Sequence, residues 1–256
     1  MCKRFGHDKI TAATSGTELA DVACKIARKH GIVRRKITVD KLKIRGVGSS
    51  YHGLGMGIWG LMDRSEQRSS YDLDGTSVLN FNPMANKTLE YLDLEPMRVC
   101  PEEHHQTVAA VIMNVYTEPR ARARMISAVS EVRQGAGKTG NLLSFYHCGE
   151  DMKPDIVTMG KSITDGWYPQ TFFLGTEDVT SLVGPNECDY TFSHTLPALV
   201  AATSALEVIA NENVLERAAQ IGKKWRAITS SWNHPKINYV FSIGADFNMF
   251  FHDLQG

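Results

Sequence analysis

Lys161 is the residue whose type and setting could carry covalent chemistry in this sequence. It follows a short apolar segment, residues 156–159, and it is flanked by Gly160 and Ser162. A lysine at the end of a buried strand can be desolvated, which lowers its pKa and makes its amine nucleophilic toward aldehydes. A lysine in such a loop is, however, more often exposed. On these residues alone both interpretations stay open.

A second segment has the chemistry of an anion site. Ser15-Gly16-Thr17 precedes a run in which apolar residues recur at helical spacing between Leu19 and Ala27. The free N–H groups and the dipole at the start of a helix attract a phosphate group. Ser15 or Thr17 could equally serve as an ordinary N-cap of that helix. The segment predicts a helix start under either interpretation.

The elements that would position these residues alternate between helical and strand patterns, which indicates an α/β fold. Predicted strands cover residues 42–48, 108–113 and 156–159, and the apolar run 108–113 is typical of a buried parallel strand. Predicted helices cover residues 197–209 and about 213–230. Residues 236–252 alternate weakly and predict strands joined by a Gly-Ala-Asp turn.

Composition restricts the class of protein. The 256 residues include 28 Lys and Arg against 28 Asp and Glu, so net charge favours neither nucleic acid nor a membrane surface as a partner. The five cysteines are odd in number and form no CxxC pair, which favours free thiols in a reducing compartment. No apolar stretch approaches the length of a membrane span. We therefore expect a cytoplasmic protein.

Several motifs occur in the same order as in one enzyme family. They are residues 153–162 (KPDIVTMGKS) with Gly166-Trp167-Tyr168-Pro169, Ser15-Gly16-Thr17-Glu18, Tyr51-His52-Gly53, residues 135–140 (GAGKTG) and residues 191–209. Together they resemble the class III aminotransferases that use pyridoxal 5'-phosphate (PLP), and the ornithine-aminotransferase branch is nearest. The resemblance covers about residues 1–114 and 125–230.

The resemblance implies a fold-type-I PLP-dependent transferase, in which a mostly parallel, seven-stranded sheet lies between helices. Lys161 would hold PLP covalently and move a proton as general base and acid. Ser15, Gly16 and Thr17 would bind the phosphate. Tyr51 and His52 would lie against the cofactor, with Tyr51 stacked on its ring, although core packing explains a tyrosine there equally well.

Thr191 matches a threonine that reaches the phosphate from the neighbouring subunit in this family, which implies a homodimer. An ordinary turn threonine is the simpler interpretation from the sequence alone.

Two positions depart from the family pattern. Ser130 stands where the family has an Asp that pairs with the pyridine nitrogen, and its hydroxyl can donate a hydrogen bond but carries no charge. Glu131 would replace that Asp only if the strand slipped by one residue. Arg133 stands at the position that contacts the phenolic oxygen of the cofactor, where a cation favours the phenolate or collides with it.

The chain also looks shortened near residues 114–124, where the family has a helix and the start of a strand. A parallel sheet needs a crossover there to keep its strand order. We expect residues 1–209 to form the PLP-binding large domain. Residues 210–256 would form a connecting helix and the start of an incomplete C-terminal small domain.

The expected reaction is transfer of an amino group from an ornithine-like or other amino donor to a 2-oxo acid. Ser130 and the shortened segment leave two alternatives: a catalytically impaired PLP-binding relative, or a PLP enzyme that performs elimination or racemisation. We expect no metal site, because the adjacent His104 and His105 lack the spacing of metal ligands.

Overall fold

The structure is a computed structural model, and it describes residues 1–47, 50–62, 71, 106–114, 128–132, 137–148 and 153–252. The strands are β1 (Lys9–Ala13), β2 (Lys43–Gly46), β3 (Val108–Asn114), β4 (Ala128–Val132), β5 (Ile156–Met159), β6 (Thr171–Gly175), β7 (Ile237–Ile243) and β8 (Asp246–Phe251). The helices are α1 (Cys2–Phe5), α2 (Gly16–Val33), α3 (Met56–Trp59), α4 (Glu177–Thr180), α5 (Leu196–Asn211) and α6 (Val214–Thr229). Two 3₁₀ turns cover Ser144–Cys148 and Lys161–Thr164.

Within the described residues the main sheet has six strands in the order β1-β6-β5-β4-β3-β2. The four strands from β2 to β5 are parallel to one another, while β6 is antiparallel to both of its neighbours. The fold is therefore α/β with a mostly parallel sheet, as the alternating sequence pattern predicts. All four residues of β5 are buried, which is the environment expected for a central parallel strand.

Helices cover both faces of this sheet, and the side chains of successive strand residues point to opposite faces. Ile156 of β5 and Phe173 of β6 pack in one core cluster with α2. Val157 and Leu174 pack in a second cluster, which includes residues of α5. Burying an aliphatic or aromatic side chain of this size contributes roughly 1.5–3 kcal/mol. The two clusters hold the site-bearing ends of β5 and α2 in fixed positions.

The shortened segment does not break the order of the sheet. Strands β3 and β4 are parallel neighbours, with Val111 opposite Ala128 and Asn114 opposite Glu131. Residues 115–127 join them and lie outside the described residues. Because β4 starts opposite the middle of β3, the connection has to return only about 10 Å along the sheet. About a dozen residues are enough for such a crossover, so a connection of this length is compatible with the observed strand order.

The C-terminal part of the chain forms a hairpin against α6. Strands β7 and β8 pair antiparallel around Gly244 and Ala245, which confirms the predicted turn. Trp225 of α6 stacks on Phe247 of β8 with ring centroids 4.3 Å apart. The predicted boundary between residues 209 and 210 falls near the end of α5, and the division into two domains stays a prediction.

No single helix in the described part of the chain is long and apolar enough to cross a membrane. Taken together, α5 and α6 meet that test of length and composition, but a bend of 68° separates them.

Candidate active site

An open cleft lies where the end of β5 meets the start of α2, with about 550 Å³ of empty space. Four chain segments reach it, because the order of the sheet places β5 and β6 beside the turn that follows β1. The lining residues are Gly16, Thr17, Tyr51, His52, Gly53, Thr158, Met159, Gly160, Lys161 and Thr171. Five residues predicted from the sequence therefore lie at one cleft, namely Lys161, Gly16, Thr17, Tyr51 and His52.

Lys161 enters the cleft directly after β5. Its backbone has a φ of 55°, a left-handed conformation that is uncommon for a non-glycine residue. Such conformations cost free energy and cluster at functional sites. The 3₁₀ turn that begins at Lys161 is closed by Thr164, whose hydroxyl donates to the carbonyl of Tyr168 at 2.7 Å. Lys161 is exposed in this chain, which is the second of the two interpretations that the sequence left open.

The N-terminus of α2 is fixed by a capping box. The Oγ of Ser15 accepts from the N–H of Glu18 at 3.3 Å, and Oε2 of Glu18 accepts from the N–H of Ser15 at 2.8 Å. Ser15 is therefore the ordinary N-cap, and it does not line the cleft. Gly16 and Thr17 do line it, and helix geometry leaves their N–H groups without acceptors inside the helix. These two amides have the position expected of the predicted anion site, and Ser15 has the role of the N-cap, the alternative that the sequence left open.

Loss of this cap should lower the free energy of unfolding of the whole chain. We expect Ser15→Ala to lower the free energy of unfolding by about 1 kcal/mol, because the Glu18 amide loses its acceptor. Thr195 is a matched control, since it is the N-cap of α5 but makes no side-chain capping bond. Thr195→Ala should cost markedly less in the same urea titration. Equal losses for the two variants would contradict the capping assignment.

The carboxyl group of Glu18 makes this cap depend on pH. Burial raises the pKa of Glu18, but hydrogen bonds from Thr14 and Ser15 outweigh burial and hold the pKa below its ordinary value of 4.5. A lowered pKa means that the carboxylate stabilises the fold above pH 4.5, and that this contribution is lost as the pH falls through the lowered value. The stability difference between wild type and Glu18→Ala, measured by urea unfolding, should thus be constant near neutral pH and shrink in acid. A difference that grows in acid would refute this sign.

The Tyr51-His52-Gly53 segment forms the opposite wall. Tyr51 is half-buried, and its carbonyl accepts from Nδ2 of Asn114 at 3.3 Å. His52 is fully buried, and its N–H contacts Sδ of Met62 at 3.1 Å. Gly53 has a φ of 109°, and a Cβ there would lie 2.2 Å from Oγ1 of Thr17. This close approach is the physical reason for a glycine beside the start of α2.

The structure describes only the backbone of the predicted site residue Ser130. The backbone of Ser130 pairs with Met113 and Val157, while that of Glu131 pairs with Asn114 and Thr158. Two residues of β4 are in register with cleft residues, Glu131 with Thr158 and Val132 with Met159, whereas Ser130 is in register with Val157, which does not line the cleft. Arg133 lies outside the described residues.

Thr191 is exposed and is absent from the lining of its own chain's cleft. The loop that carries it is held by Gln170, whose Nε2 donates to the carbonyl of Ser193 at 2.7 Å. A role for Thr191 at a cleft therefore requires a second copy of the chain.

Two threonines in the lining were not predicted as site residues. Thr158 is 2 % exposed, and its hydroxyl has no hydrogen-bond partner among the described residues. Thr171 is 6 % exposed, and its hydroxyl lies 2.9 Å from the carbonyl of Ala13 and 3.0 Å from that of Ser15. Nothing in the sequence points to Thr171, because its partners lie more than 150 residues away and are reached only through the β1–β6 pairing.

The arrangement suits a flat, aldehyde-bearing phosphate ester. It combines two backbone amides for the phosphate, an aromatic side chain in Tyr51 and an amine in Lys161. In the part of the chain that the structure describes, no three His, Cys, Asp or Glu side chains are grouped to hold a metal ion. His104 and His105 lie outside that part.

Comparisons with known proteins identify relatives of this chain. The chain is 30% identical over 237 residues to the ornithine aminotransferase of Plasmodium falciparum (isolate 3D7), covering 87% of this chain and 56% of that protein. It is 29% identical over 251 residues to the Saccharomyces cerevisiae ornithine aminotransferase, covering 87% of this chain and 57% of that protein. The chain thus spans a little over half the length of these relatives.

Solved structures show the same fold. The ornithine aminotransferase from Toxoplasma gondii ME49 superposes with a TM-score of 0.82 at 23% identity, covering 98% of this chain and 62% of that one. The acetylornithine aminotransferase from Elizabethkingia anophelis gives a TM-score of 0.75 at 22% identity, covering 98% and 63%. The expected fold-type-I architecture is confirmed. The family profile described as Aminotransferase class-III matches residues 122–250, just over half of the chain. The chain belongs to the class III aminotransferase family.

Proposed function

We propose that this chain binds PLP and transfers an amino group from an ornithine-like or other amino donor to a 2-oxo acid. The observation that carries the proposal is the single cleft lined by Lys161, Tyr51 and the N-terminal residues Gly16 and Thr17 of α2. The names of the relatives support ornithine as the first donor to test.

Each residue has a distinct task in this proposal. The amides of Gly16 and Thr17 bind the phosphate group at the positive end of α2. The ring of Tyr51 limits the cofactor on one face. PLP, when bound, supplies an electron sink at the amino carbon of the donor. The amine of Lys161 would hold the cofactor at its aldehyde carbon, and its Nζ would take and return a proton as general base and acid.

A dimer is part of the same proposal. Thr191 is exposed, and the apolar residues that follow it are exposed as well: Phe192 by 63%, Leu196 by 73% and Val200 by 55%. Exposed apolar surface of this kind is common where a second chain packs. A second copy would cover these side chains and bring its Thr191 to the cleft. Sedimentation of the pure chain tests this, and a monomer at all concentrations would refute it.

A catalytically impaired PLP-binding relative is the second candidate, and Ser130 in β4 favours it. Without a carboxylate at that position, the pyridine nitrogen of PLP is less readily held protonated, which weakens the electron sink. A PLP enzyme that performs elimination or racemisation tolerates a weaker electron sink. Product analysis in the absence of a 2-oxo acid would identify such an enzyme. A reducing compartment such as the cytoplasm is proposed on the free thiols of Cys2 and Cys188.

The deciding experiment is a PLP titration of the purified chain, followed by borohydride reduction and peptide mapping. A saturable absorption change and a label on Lys161 are expected. An assay with ornithine and 2-oxoglutarate then separates an active transaminase from an impaired relative. A folded chain that shows neither absorption change nor label contradicts both candidates.

A further inference from the structure

We propose that Thr171 is the positioning residue that sets the phosphate-binding amides of α2 in place beside Lys161. The inference rests on the proposed function and assigns a role to a residue that contacts neither α2's amides nor the lysine amine directly. Thr171 is the first residue of β6, and it lines the cleft between the start of α2 and Lys161.

The hydroxyl of Thr171 connects β6 to the turn before α2. Ala13 is its ladder partner at the end of β1, and the hydroxyl lies 2.9 Å from the Ala13 carbonyl and 3.0 Å from the Ser15 carbonyl. A hydroxyl has one proton to donate, so these two carbonyls share it. Because Ser15 is the N-cap, the hydroxyl acts on the residue that immediately precedes the amides of Gly16 and Thr17.

The carbonyl of Ser15 needs this second donor. Inside α2 it accepts only a long bond of 3.4 Å from the N–H of Leu19. Without Thr171 the Ser15 carbonyl would keep only this long bond, while the capping box acts on the other side of the turn, at the Ser15 and Glu18 amides. A binding group loses affinity for its ligand when the residues that support it hold it even slightly out of position. The hydroxyl should therefore affect how well the turn binds a phosphate group.

The methyl group of Thr171 acts on the lysine side of the cleft. A Cβ on Gly160 would lie 2.6 Å from Cγ2 of Thr171. The methyl group thus occupies the space beside Gly160, the residue through which β5 passes into Lys161. One side chain contacts both halves of the site, with its hydroxyl on the α2 turn and its methyl on the lysine strand.

The test compares PLP with pyridoxal, which has the same aldehyde and ring but no phosphate. Thr171→Val keeps the shape and removes the donor, so we expect the affinity for PLP to fall about tenfold, the value of one hydrogen bond. The affinity for pyridoxal should change much less. Thr171→Ser restores the hydroxyl and should restore the ratio of the two affinities.

Thr180 provides a matched control at the other end of β6. Its hydroxyl donates to the carbonyl of Thr176 at 2.7 Å, and its methyl lies 2.4 Å from where a Cβ on Gly175 would stand. Thr180→Val therefore removes the same kind of contact away from the cleft. It should lower stability without changing the ratio of PLP to pyridoxal affinity. A proportional loss of both ligands in Thr171→Val, or no loss, would overturn the proposal.

Hydrogen exchange of the cofactor-free chain separates this proposal from the proposed function. Amides of residues 14–19 should exchange faster in Thr171→Val than in wild type, Thr171→Ser or Thr180→Val. If wild type binds neither PLP nor pyridoxal, the proposed function is wrong, and the exchange result alone decides whether Thr171 positions the turn. Unchanged exchange in Thr171→Val would refute that role as well.

Discussion

Lys161→Ala is expected to abolish the borohydride-stabilised PLP label and to lower transaminase turnover by at least about 10²–10⁴-fold, the usual contribution of a positioned acid–base group. The physical reason is that Lys161 supplies the amine at the cleft, and alanine can neither bind the aldehyde nor carry a proton. Among the described residues, the cleft lining contains no second lysine. Peptide mapping after reduction measures the label, and a coupled assay measures turnover.

Lys153→Ala is the control for this experiment. Lys153 is exposed and lies on the same segment, three residues before β5, but it does not line the cleft. It should keep both label and turnover. A label that persists in Lys161→Ala would place the covalent site on another lysine and would overturn the assignment.

Gly53→Ala is expected to lower the free energy of unfolding by about 3 kcal/mol or more, from backbone strain and overpacking together. The φ of 109° is outside the range that residues with a Cβ adopt readily. The new methyl would also lie 2.9 Å from Cα of Thr17, and backbone atoms cannot move aside as a flexible side chain can. Because Thr17 contributes to the phosphate turn, PLP affinity should fall as well.

Gly166→Ala separates strain from the steric clash. Gly166 also has a positive φ, 78°, but nothing lies within 4 Å of an added Cβ. Gly166→Ala should lower the free energy of unfolding by only about 1–2 kcal/mol, the strain of a left-handed residue. It should leave the affinity for PLP unchanged. Urea titrations of both variants provide the comparison. Equal losses of stability would show that the contact with Thr17 is not as close as the structure places it.

Local patterns in the chain were sufficient for much of the fold. The apolar run in β3 and the helical spacing after Ser15 identify their elements, because burial on a strand or helix imposes a period on neighbouring residues. The capping box was not predicted, although Ser15 followed by Glu18 at the third position indicates one. The sequence could not show that the shortened chain near residues 114–124 is compatible with this strand order, because that depends on the register of β3 and β4.

The family resemblance, the α/β class and five candidate residues follow from the amino-acid sequence, because they depend on residues close together in the chain. The five are Lys161, Gly16, Thr17, Tyr51 and His52. The three-dimensional fold was needed to show that Lys161 is exposed, that Ser15 caps the helix instead of lining the cleft, and that Thr171 contacts both sides of the cleft. These features depend on which strands become neighbours. Strand order brings residues more than 150 positions apart into contact, and no local pattern encodes such a contact.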